Sequence, residues 1–417
     1  MHNLPFASEE MNLKRVRWLA CITAITLAFW LVTGCNGTMS APATSPSPGG
    51  SGSGNAPNPG NGGNGGNTPS ASRFIYGTPG FETQGLQAGT IDSKTGKVTP
   101  ISGGPFDPGL GQSSMIQAIA DRQGRFVYTL EVGASAFGNP IGQPGIGEFK
   151  IDQQTGALSR VQGSPIVFTQ RNDNFLAIDG TGRFLYQPHG SSPSTGFDIY
   201  AIDQNTGALS KTTASSNAPP VGANSVAGGN GFLFNNGNGL VESFSVNSQN
   251  GQLTAIGSPL STGGSGGPAA LSSDGKFLYV ANRTEGTVAV FSVSSSGTLT
   301  TVGAPFSTGA TGIFFATLTP DGKFLFLVFS NAAGQSVKGF AVNPSAGKFT
   351  AIQGGAINYA NSITIDSSGK FAYVTLVTGT NFVLATYSFD TGSGALIQMS
   401  QAPSPVSDDP NDMVAVP

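Results

Sequence analysis

One phrase recurs seven times along the chain, and this repetition constrains the fold more than any other feature. Its fullest copy, residues 273–300, contains a polar turn (SDGK), an apolar burst (FLYVA), a loop, an alternating run (TVAVFSV) and a Gly-x-Leu ending. Each burst starts at a phenylalanine: Phe74, Phe126, Phe184, Phe232, Phe277, Phe324 and Phe371. A period of roughly 40–50 residues with several short strands per repeat is typical of a β-propeller, in which each repeat forms one blade.

Each repeat divides into four predicted strands. In the fullest copy, strand A is Ala269–Leu271, strand B residues 277–281, strand C Thr287–Val293 and strand D residues 299–302. Strand C alternates apolar and polar residues, as a half-buried strand does. Glycine is expected at two turns because it supplies the positive φ that tight hairpins need. Before strand B the turn residues are Gly124, Gly182, Asn230, Gly275, Gly322 and Gly369; before strand D they are Gly96, Gly156, Gly207, Gly251, Gly297, Gly347 and Gly394.

The first copy has no strand A of its own, because only a Gly-rich segment precedes Ser72. Seven copies of strand B need seven inner strands, and residues 412–416 at the C-terminus are the only apolar run left over. The sequence therefore predicts an all-β, seven-bladed propeller over residues 72–417, with four-stranded antiparallel blades and a ring closed by the C-terminal strand. Closure removes open strand edges, which invite aggregation.

The N-terminus has the pattern of an export signal. Lys14, Arg15 and Arg17 precede an apolar run at residues 18–32, which is too short for a typical membrane span. The run ends in LVTGC, which resembles a bacterial lipobox whose cysteine, Cys35, becomes lipidated. An ordinary signal peptide with an incidental cysteine is the alternative. Residues 1–35 are thus predicted to be a lipoprotein signal, with Met11 as a second candidate start.

Amino-acid composition distinguishes a linker segment from the predicted propeller. Residues 36–71 are almost wholly Gly, Ser, Asn, Pro, Thr and Ala, which cannot bury a core and predict a flexible linker. The only cysteines are Cys21 and Cys35, so the propeller has no disulfide and no cysteine-based metal site. A net charge of −3 gives no basic surface for nucleic acid. We expect a lipid-anchored, monomeric protein of the bacterial cell envelope.

Blade registry predicts where functional side chains gather. The residues five places after each strand-B phenylalanine are Pro79, Glu131, His189, Gly237, Asn282, Phe329 and Leu376. In propellers the B–C and D–A loops share the face around the channel mouth, where ligands usually bind. We therefore expect Glu131, His189 and Asn282 with its neighbour Arg283 to lie in B–C loops and to converge at this mouth.

Each charged candidate has a structural alternative. Glu131 is a general base if it is partly buried, or a solvated loop charge if it is not. Arg283 can hold a carboxylate or phosphate through two parallel hydrogen bonds, or form a surface ion pair with Glu285. His189 is the only histidine of the predicted propeller, and a lone histidine is more often structural or exposed.

The D–A connections add candidates on the same face. Arg171 and Asp173 precede strand A of blade 3, and with Asn282 and Glu285 they are predicted to contact substrate. The acidic residues at 407–412 could offer oxygen ligands to Ca²⁺, but they lack EF-hand spacing. We expect a solvated acidic loop and no metal.

The repeat resembles a known family. GKFLYVANR at residues 275–283 and GTVAVF at residues 286–291 are similar to the lactonase-type seven-bladed propellers, which include 6-phosphogluconolactonases and fungal carboxymuconate cyclases. The endings TGAL (206–209) and GSPL (257–260) favour this family over the related YVTN surface repeats. The resemblance implies a rim of Arg, His and Glu that binds an acidic substrate. Asn282 with Arg283 matches the family's Asn-Arg loop, whereas Glu285 stands where the family often has histidine, and His189 is a candidate substitute.

Two functions follow from these expectations. The first is hydrolysis of a lactone without a cofactor, in which Arg283 binds the substrate acid and His189 or Glu131 moves protons. Export argues against a cytosolic sugar-phosphate lactone as the substrate. The second is a non-catalytic propeller that binds a component of the cell envelope, and the sequence leaves the choice between enzyme and binding module open.

Overall fold

A computed structural model describes residues 73–78, 85–111, 113–121, 123–133, 142–169, 175–189, 196–217, 220–222, 225–229, 231–331, 334–343, 348–378, 381–399, 404–406 and 412–416. These residues form strands and turns, and no helix among them could cross a membrane. The strands make seven separate antiparallel sheets, so the predicted all-β, seven-bladed propeller is confirmed. The predicted signal, the linker and Cys35 lie outside the described residues.

The first four blades hold 18 of the strands. Blade 1 contains β1 (Arg73–Gly77), β2 (Gln87–Ile91), β3 (Val98–Pro100) and the C-terminal β32 (Met413–Val416). Blade 2 contains β4 (Met115–Ala120), β5 (Phe126–Val132), β6 (Pro144–Ile151), β7 (Leu158–Arg160) and β8 (Ile166–Val167). Blade 3 contains β9 (Ala177–Ile178), β10 (Phe184–His189), β11 (Gly196–Ile202) and β12 (Leu209–Lys211). Blade 4 contains β13 (Ser225–Gly229), β14 (Phe232–Gly237), β15 (Leu240–Val246), β16 (Leu253–Ala255) and β17 (Leu260–Ser261).

The last three blades follow the same order. Blade 5 contains β18 (Ala269–Leu271), β19 (Phe277–Asn282), β20 (Thr287–Val293), β21 (Leu299–Thr301) and β22 (Phe306–Ser307). Blade 6 contains β23 (Ile313–Leu318), β24 (Phe324–Asn331), β25 (Gly334–Asn343) and β26 (Lys348–Asn358). Blade 7 contains β27 (Ala360–Ile365), β28 (Phe371–Thr378), β29 (Asn381–Phe389), β30 (Leu396–Gln398) and β31 (Ser404–Val406). The fullest repeat, blade 5, matches its predicted strands to within one residue, but the short fifth strands β8, β17, β22 and β31 were not predicted.

The two ends of the chain meet in blade 1. β32 pairs antiparallel with β1, so that Val416 lies opposite Phe74 and Met413 opposite Gly77. The Thr78 N–H donates to the carbonyl of Asp412 at 2.9 Å, and the Asp412 N–H donates to the Thr78 hydroxyl at 2.9 Å. The predicted ring closure by the C-terminal strand is therefore present.

The turn glycines have the backbone that the sequence predicts. Six of the seven glycines before strand D have φ between 67° and 80°, and the seventh, Gly347, lies outside the described residues. In blade 4 the glycine that precedes strand B is Gly231, with φ 81°. Aligning the seven repeats on their phenylalanines predicts Asn230 in this turn position. Asn230 lies outside the described residues, and its neighbour Gly231 supplies the positive φ.

Adjacent blades are joined through the same glycines. The Tyr128 hydroxyl in blade 2 donates to the carbonyl of Gly207 in blade 3 at 2.9 Å, and the ring of Phe126 packs against that glycine. Tyr76, Tyr186 and Tyr373 make the same contact with the next blade around the ring, at 2.8, 3.0 and 3.2 Å. In blade 4 the Ser243 hydroxyl replaces the tyrosine, donating to Gly297 at 2.6 Å. The Phe-x-Tyr sequence of strand B thus joins adjacent blades: the phenylalanine ring packs against the glycine of the next blade, and the tyrosine hydroxyl donates to its carbonyl.

Replacing Gly207 by alanine should be costly for two reasons. Its φ of 79° disfavours a side chain, and an added Cβ would lie 2.4 Å from Phe126 Cδ1. Strain and overpacking together predict a loss of about 2–4 kcal/mol in the free energy of unfolding. Gly182→Ala is the matched control, because Gly182 has φ 70° but nothing within 4 Å of the added Cβ. Equal losses in the two variants, measured by denaturant unfolding, would contradict the packing contact.

Candidate functional site

Glu131 is buried between blades 1 and 2. Side chains alternate along a strand, and Tyr128 points to blade 3, so Glu131 on β5 points the other way. Its strand partner Gly145 packs against Leu110, in the connection from blade 1 to blade 2. Only 1% of Glu131 is exposed, the Ser113 hydroxyl donates to Oε2, and Oε1 has no hydrogen-bond partner. Glu131 is therefore a buried carboxyl group with one free oxygen, rather than a solvated loop charge.

The environment of Glu131 favours its protonated form. Burial raises the pKa of Glu131 to about 8, against the opposing effects of the Ser113 and Thr129 hydroxyls, and nearby Asp107 adds to the rise. A carboxyl group with a pKa in this range exchanges a proton near neutral pH, which is the property required of a general acid or base.

His189 belongs to a different group of charges. It is the last residue of β10 rather than part of a loop, and its side chain lies on the face of blade 3 turned towards blade 2, opposite to Tyr186. The imidazole Nε2 lies 3.5 Å from Asp198 Oδ1, and the Lys211 ammonium is 2.9 Å from the same oxygen. The His189–Asp198–Lys211 cluster lies across β10, β11 and β12.

Asn282 and Glu285 hold the connection between blades 4 and 5. Asn282 is fully buried; its amide nitrogen donates to the Thr262 carbonyl at 2.8 Å, and its amide oxygen accepts from the Gly266 N–H at 3.1 Å. The exposed Glu285 carboxylate accepts from the N–H and the hydroxyl of Ser265, both at 2.8 Å. Slight burial would raise the pKa of Glu285, but the bonds from Ser265 outweigh it and lower the pKa. Both residues therefore stabilise a loop in this structure.

Arg283 is half-buried beside them. Its backbone N–H donates to the Gly266 carbonyl at 3.4 Å, and its own carbonyl accepts from the Gly312 N–H at 2.8 Å, so the residue joins the connections on both sides of blade 5. The contacts of Glu131 and His189 are with different partners: Ser113 for Glu131 and Asp198 for His189. Arg171 and Asp173 lie outside the described residues, and their roles stay predictions. In the described part of the chain, no group of three acidic, histidine or cysteine side chains is arranged to hold a metal ion.

Comparison with known proteins agrees with this architecture. Residues 232–358, from strand B of blade 4 to the last strand of blade 6, match a family described as lactonase, 7-bladed beta-propeller. The resemblance to the lactonase-type propellers is confirmed. No curated protein matches the chain.

Solved structures with the same fold cover nearly all of the described region. A Bacteroides uniformis protein assigned as a 6-phosphogluconolactonase is 18% identical, with a TM-score of 0.62 over 83% of this chain and 100% of its own. The periplasmic gluconolactonase of Pseudomonas aeruginosa is 17% identical, with a TM-score of 0.61 over 84% of this chain and 99% of its own. At these identities the likeness shows the fold alone.

Sequence reasoning missed a set of buried polar groups on one side of the propeller. The described side chains that hold buried polar atoms without a hydrogen-bond partner all belong to strand B of blades 2, 3 and 4: Thr129, Glu131, Gln187 and Asn235. Three of them stand three places after the strand-B phenylalanine, where blades 5–7 carry Val280, Leu327 and Val374. This break in the apolar pattern was a signal that sequence comparison between the blades could have used.

A second buried carboxyl group lies in the same sector. Glu242 lies opposite Asn235 across β14 and β15, and its Oε1 accepts from the Val221 N–H at 2.8 Å. Burial raises the pKa of Glu242 to about 7, against the effect of that hydrogen bond. Blades 2–4 thus carry buried polar side chains three places after the strand-B phenylalanine, where blades 5–7 carry apolar ones.

Proposed function

We propose that the protein hydrolyses a lactone, with Glu131 as the general base. The observation that carries this proposal is a buried carboxyl group with a free Oε1, a hydroxyl donor on Oε2 and a pKa of about 8. A base with this pKa is stronger than an ordinary carboxylate and is still partly ionised near neutral pH. Ser113 would act as a positioning residue that holds the carboxylate in one orientation.

The reaction needs a proton acceptor and a proton donor. Glu131 takes a proton from water while the water oxygen bonds to the lactone carbonyl carbon. The tetrahedral intermediate then collapses, the bond between the acyl carbon and the ring oxygen breaks, and the ring oxygen receives the proton held by Glu131. The product is a hydroxy acid, and no cofactor enters the balance.

Fold comparisons support the choice of a lactone. Two similar structures carry the names of a gluconolactonase and a 6-phosphogluconolactonase. In this chain, Arg283 would bind an acidic group of the substrate through its guanidinium. His189 would serve as a second proton carrier only if it left its contact with Asp198. Asn282 and Glu285 would contribute by keeping the Arg283 loop in place, and Arg171 and Asp173 would line the same face.

Export as a lipid-anchored envelope protein is part of the proposal. The LVTGC sequence at Cys35 and the Gly-rich residues 36–71 support a propeller tethered to a bacterial membrane. The Pseudomonas aeruginosa structure is named as a periplasmic protein, which is consistent with a lactonase-type propeller outside the cytoplasm.

Activity is tested with a lactone panel, comparing neutral aldonolactones such as glucono-1,5-lactone with lactones that carry a carboxylate or a phosphate. We expect acid release above the spontaneous rate. Arg283→Ala should raise KM about 10- to 100-fold for the acidic lactones, because a charge-assisted hydrogen bond is worth about 1.5–3 kcal/mol, and should leave neutral lactones unchanged. Lys276→Ala, which removes an exposed cation from the turn before strand B, is the matched control. Absence of turnover across the panel would contradict the proposal.

A non-catalytic propeller that binds an envelope component is the second candidate. The observation that favours it is that His189 contacts Asp198 of its own blade, whereas Glu131 is buried against the connection from blade 1. A turnover number that collapses in Glu131→Gln would exclude this alternative.

A further inference from the structure

Blade 3 departs from the other blades in the path of its exit segment, which we define as the residues that follow strand D. In the other six blades, the segment after strand D pairs with strand C of its own blade. In blade 3 the Thr212 N–H donates to the Ile199 carbonyl of strand C at 2.8 Å, but the segment then crosses to blade 4, where Ser216 forms a parallel bridge with Leu253. The Leu253 N–H donates to the Ser215 carbonyl at 3.1 Å, and the Ala255 N–H donates to Asn217 Oδ1 at 2.7 Å.

This crossing creates a cleft of about 310 Å³ between the two blades. One wall is the exit segment itself, the other is the turn before strand D of blade 4, and Phe184 and Ala201 complete the lining. The volume is within the range of small-molecule sites, roughly 300–1,000 Å³. Because the turns before strand D lie at the opposite end of the blades from the ends of strand B, the cleft is separate from the region around Glu131.

The chemistry of the lining is neutral and rich in hydrogen-bonding groups. None of the residues that line the cleft is charged, and six carry a hydroxyl or an amide: Thr212, Thr213, Ser215, Gln249, Asn250 and Gln252. In the described part of the chain, the side-chain amides of Gln249 and Gln252 make no hydrogen bond, whereas Asn250 Oδ1 accepts from the Gln252 N–H at 3.0 Å. Both residues are exposed and line the cleft, so their amides are accessible to a ligand.

We propose that this cleft binds a neutral saccharide ring. Vicinal sugar hydroxyls each donate and accept, which matches side chains that offer both functions at close spacing. The lack of a cation in the lining disfavours phosphate and carboxylate ligands, which need charged partners. The partly exposed methyl groups of Ala201 and Ala214 suit the C–H groups of a pyranose ring. The site would hold a sugar unit of the envelope while the opposite end of the blades carries the proposed lactone chemistry, so it is independent of that chemistry.

Binding is tested on the full chain by calorimetry and by saturation-transfer NMR with D-glucose, N-acetylglucosamine and cellobiose. We expect saturable binding of at least one of these sugars. The double variant Gln249→Ala with Gln252→Ala should weaken it at least about tenfold, which corresponds to about 1.4 kcal/mol. Gln154→Ala is the matched control, because Gln154 occupies the place of Gln249 in the exposed turn of blade 2 and should leave binding unchanged.

A second variant separates loss of contacts from a general disturbance. Ala214→Trp fills the cleft from the exit segment without removing an amide, and it should abolish binding while the melting temperature stays within a few degrees of the wild type. Three results would overturn the proposal: no binding of any neutral sugar, binding that survives both cleft variants, or tighter binding of glucose 6-phosphate than of glucose.

Discussion

Deleting residues 412–417 should unfold most of the protein or leave it aggregated. β32 supplies the inner strand of blade 1, and its Met413, Val414 and Val416 are all at least 91% buried. Burying each such side chain contributes about 1.5–3 kcal/mol, and the total approaches the whole stability of an ordinary domain, about 5–15 kcal/mol. The deletion also removes Asp412, whose Oδ2 accepts from the Ala118 N–H of blade 2 at 3.2 Å.

Two controls give this experiment a clear outcome. Removing residues 40–68 from the predicted linker should leave the unfolding midpoint unchanged. Moving residues 412–416 in front of β1, joined by a copy of the turn at residues 272–276, should restore stability, because strand A then precedes strand B as in the other blades. A truncated protein that melts like the intact chain would show that the ring does not depend on β32.

Replacing Glu131 by glutamine should lower kcat/KM for lactone hydrolysis about 10²–10⁴-fold, the usual contribution of a general base. Glutamine has nearly the shape of a protonated glutamate, and Glu131 is buried in a setting that favours the protonated form. The variant should therefore fold and melt like the wild type near neutral pH, so that the loss of rate reports the missing base. Glu242→Gln is the matched control, since it neutralises another buried carboxyl group with a raised pKa.

The ring could be predicted from sequence because its determinants are local and repeated. In each repeat, a phenylalanine, a turn and a Gly-x-Leu ending mark where the strands lie. Counting the inner strands then identified residues 412–416 as the closing strand. Gly207 illustrates the match: a glycine chosen for its turn has a φ of 79° and also leaves room for Phe126.

The site was less predictable. Aligning the repeats shows at which end of its strand a residue lies, but it does not show the direction in which the side chain points. Residues an odd number of places apart on a strand point to opposite faces. The side chains of Glu131, His189 and Asn282 therefore point towards the preceding blade rather than into the channel. Glu131 points towards blade 1, His189 towards blade 2, and Asn282 contacts the connection from blade 4. Their expected positions in B–C loops were wrong, since all three belong to strand B.

The burial of Glu131 depends on residues that no repeat pattern connects to it. Gly145 and Gly147 leave space on β6, and the connection from blade 1 fills this space through Pro108 and Leu110. The path of that connection buries the carboxyl group, and Ser113 contacts it from the same connection. The sequence contains these residues, but it does not show that they contact one another in the fold.

The pH dependence of kcat/KM tests the central claim most directly, because it reports the ionisation of the free enzyme's base. Glu131 must lose its proton to act, so kcat/KM of the wild type should rise as the pH increases through about 8 and level off above it. Rates are corrected at each pH for spontaneous lactone hydrolysis. The account predicts that Glu131→Gln removes this rise together with most of the activity, while Glu242→Gln keeps it. A variant Glu131→Gln that retains the wild-type profile would contradict the assignment of Glu131 as the base.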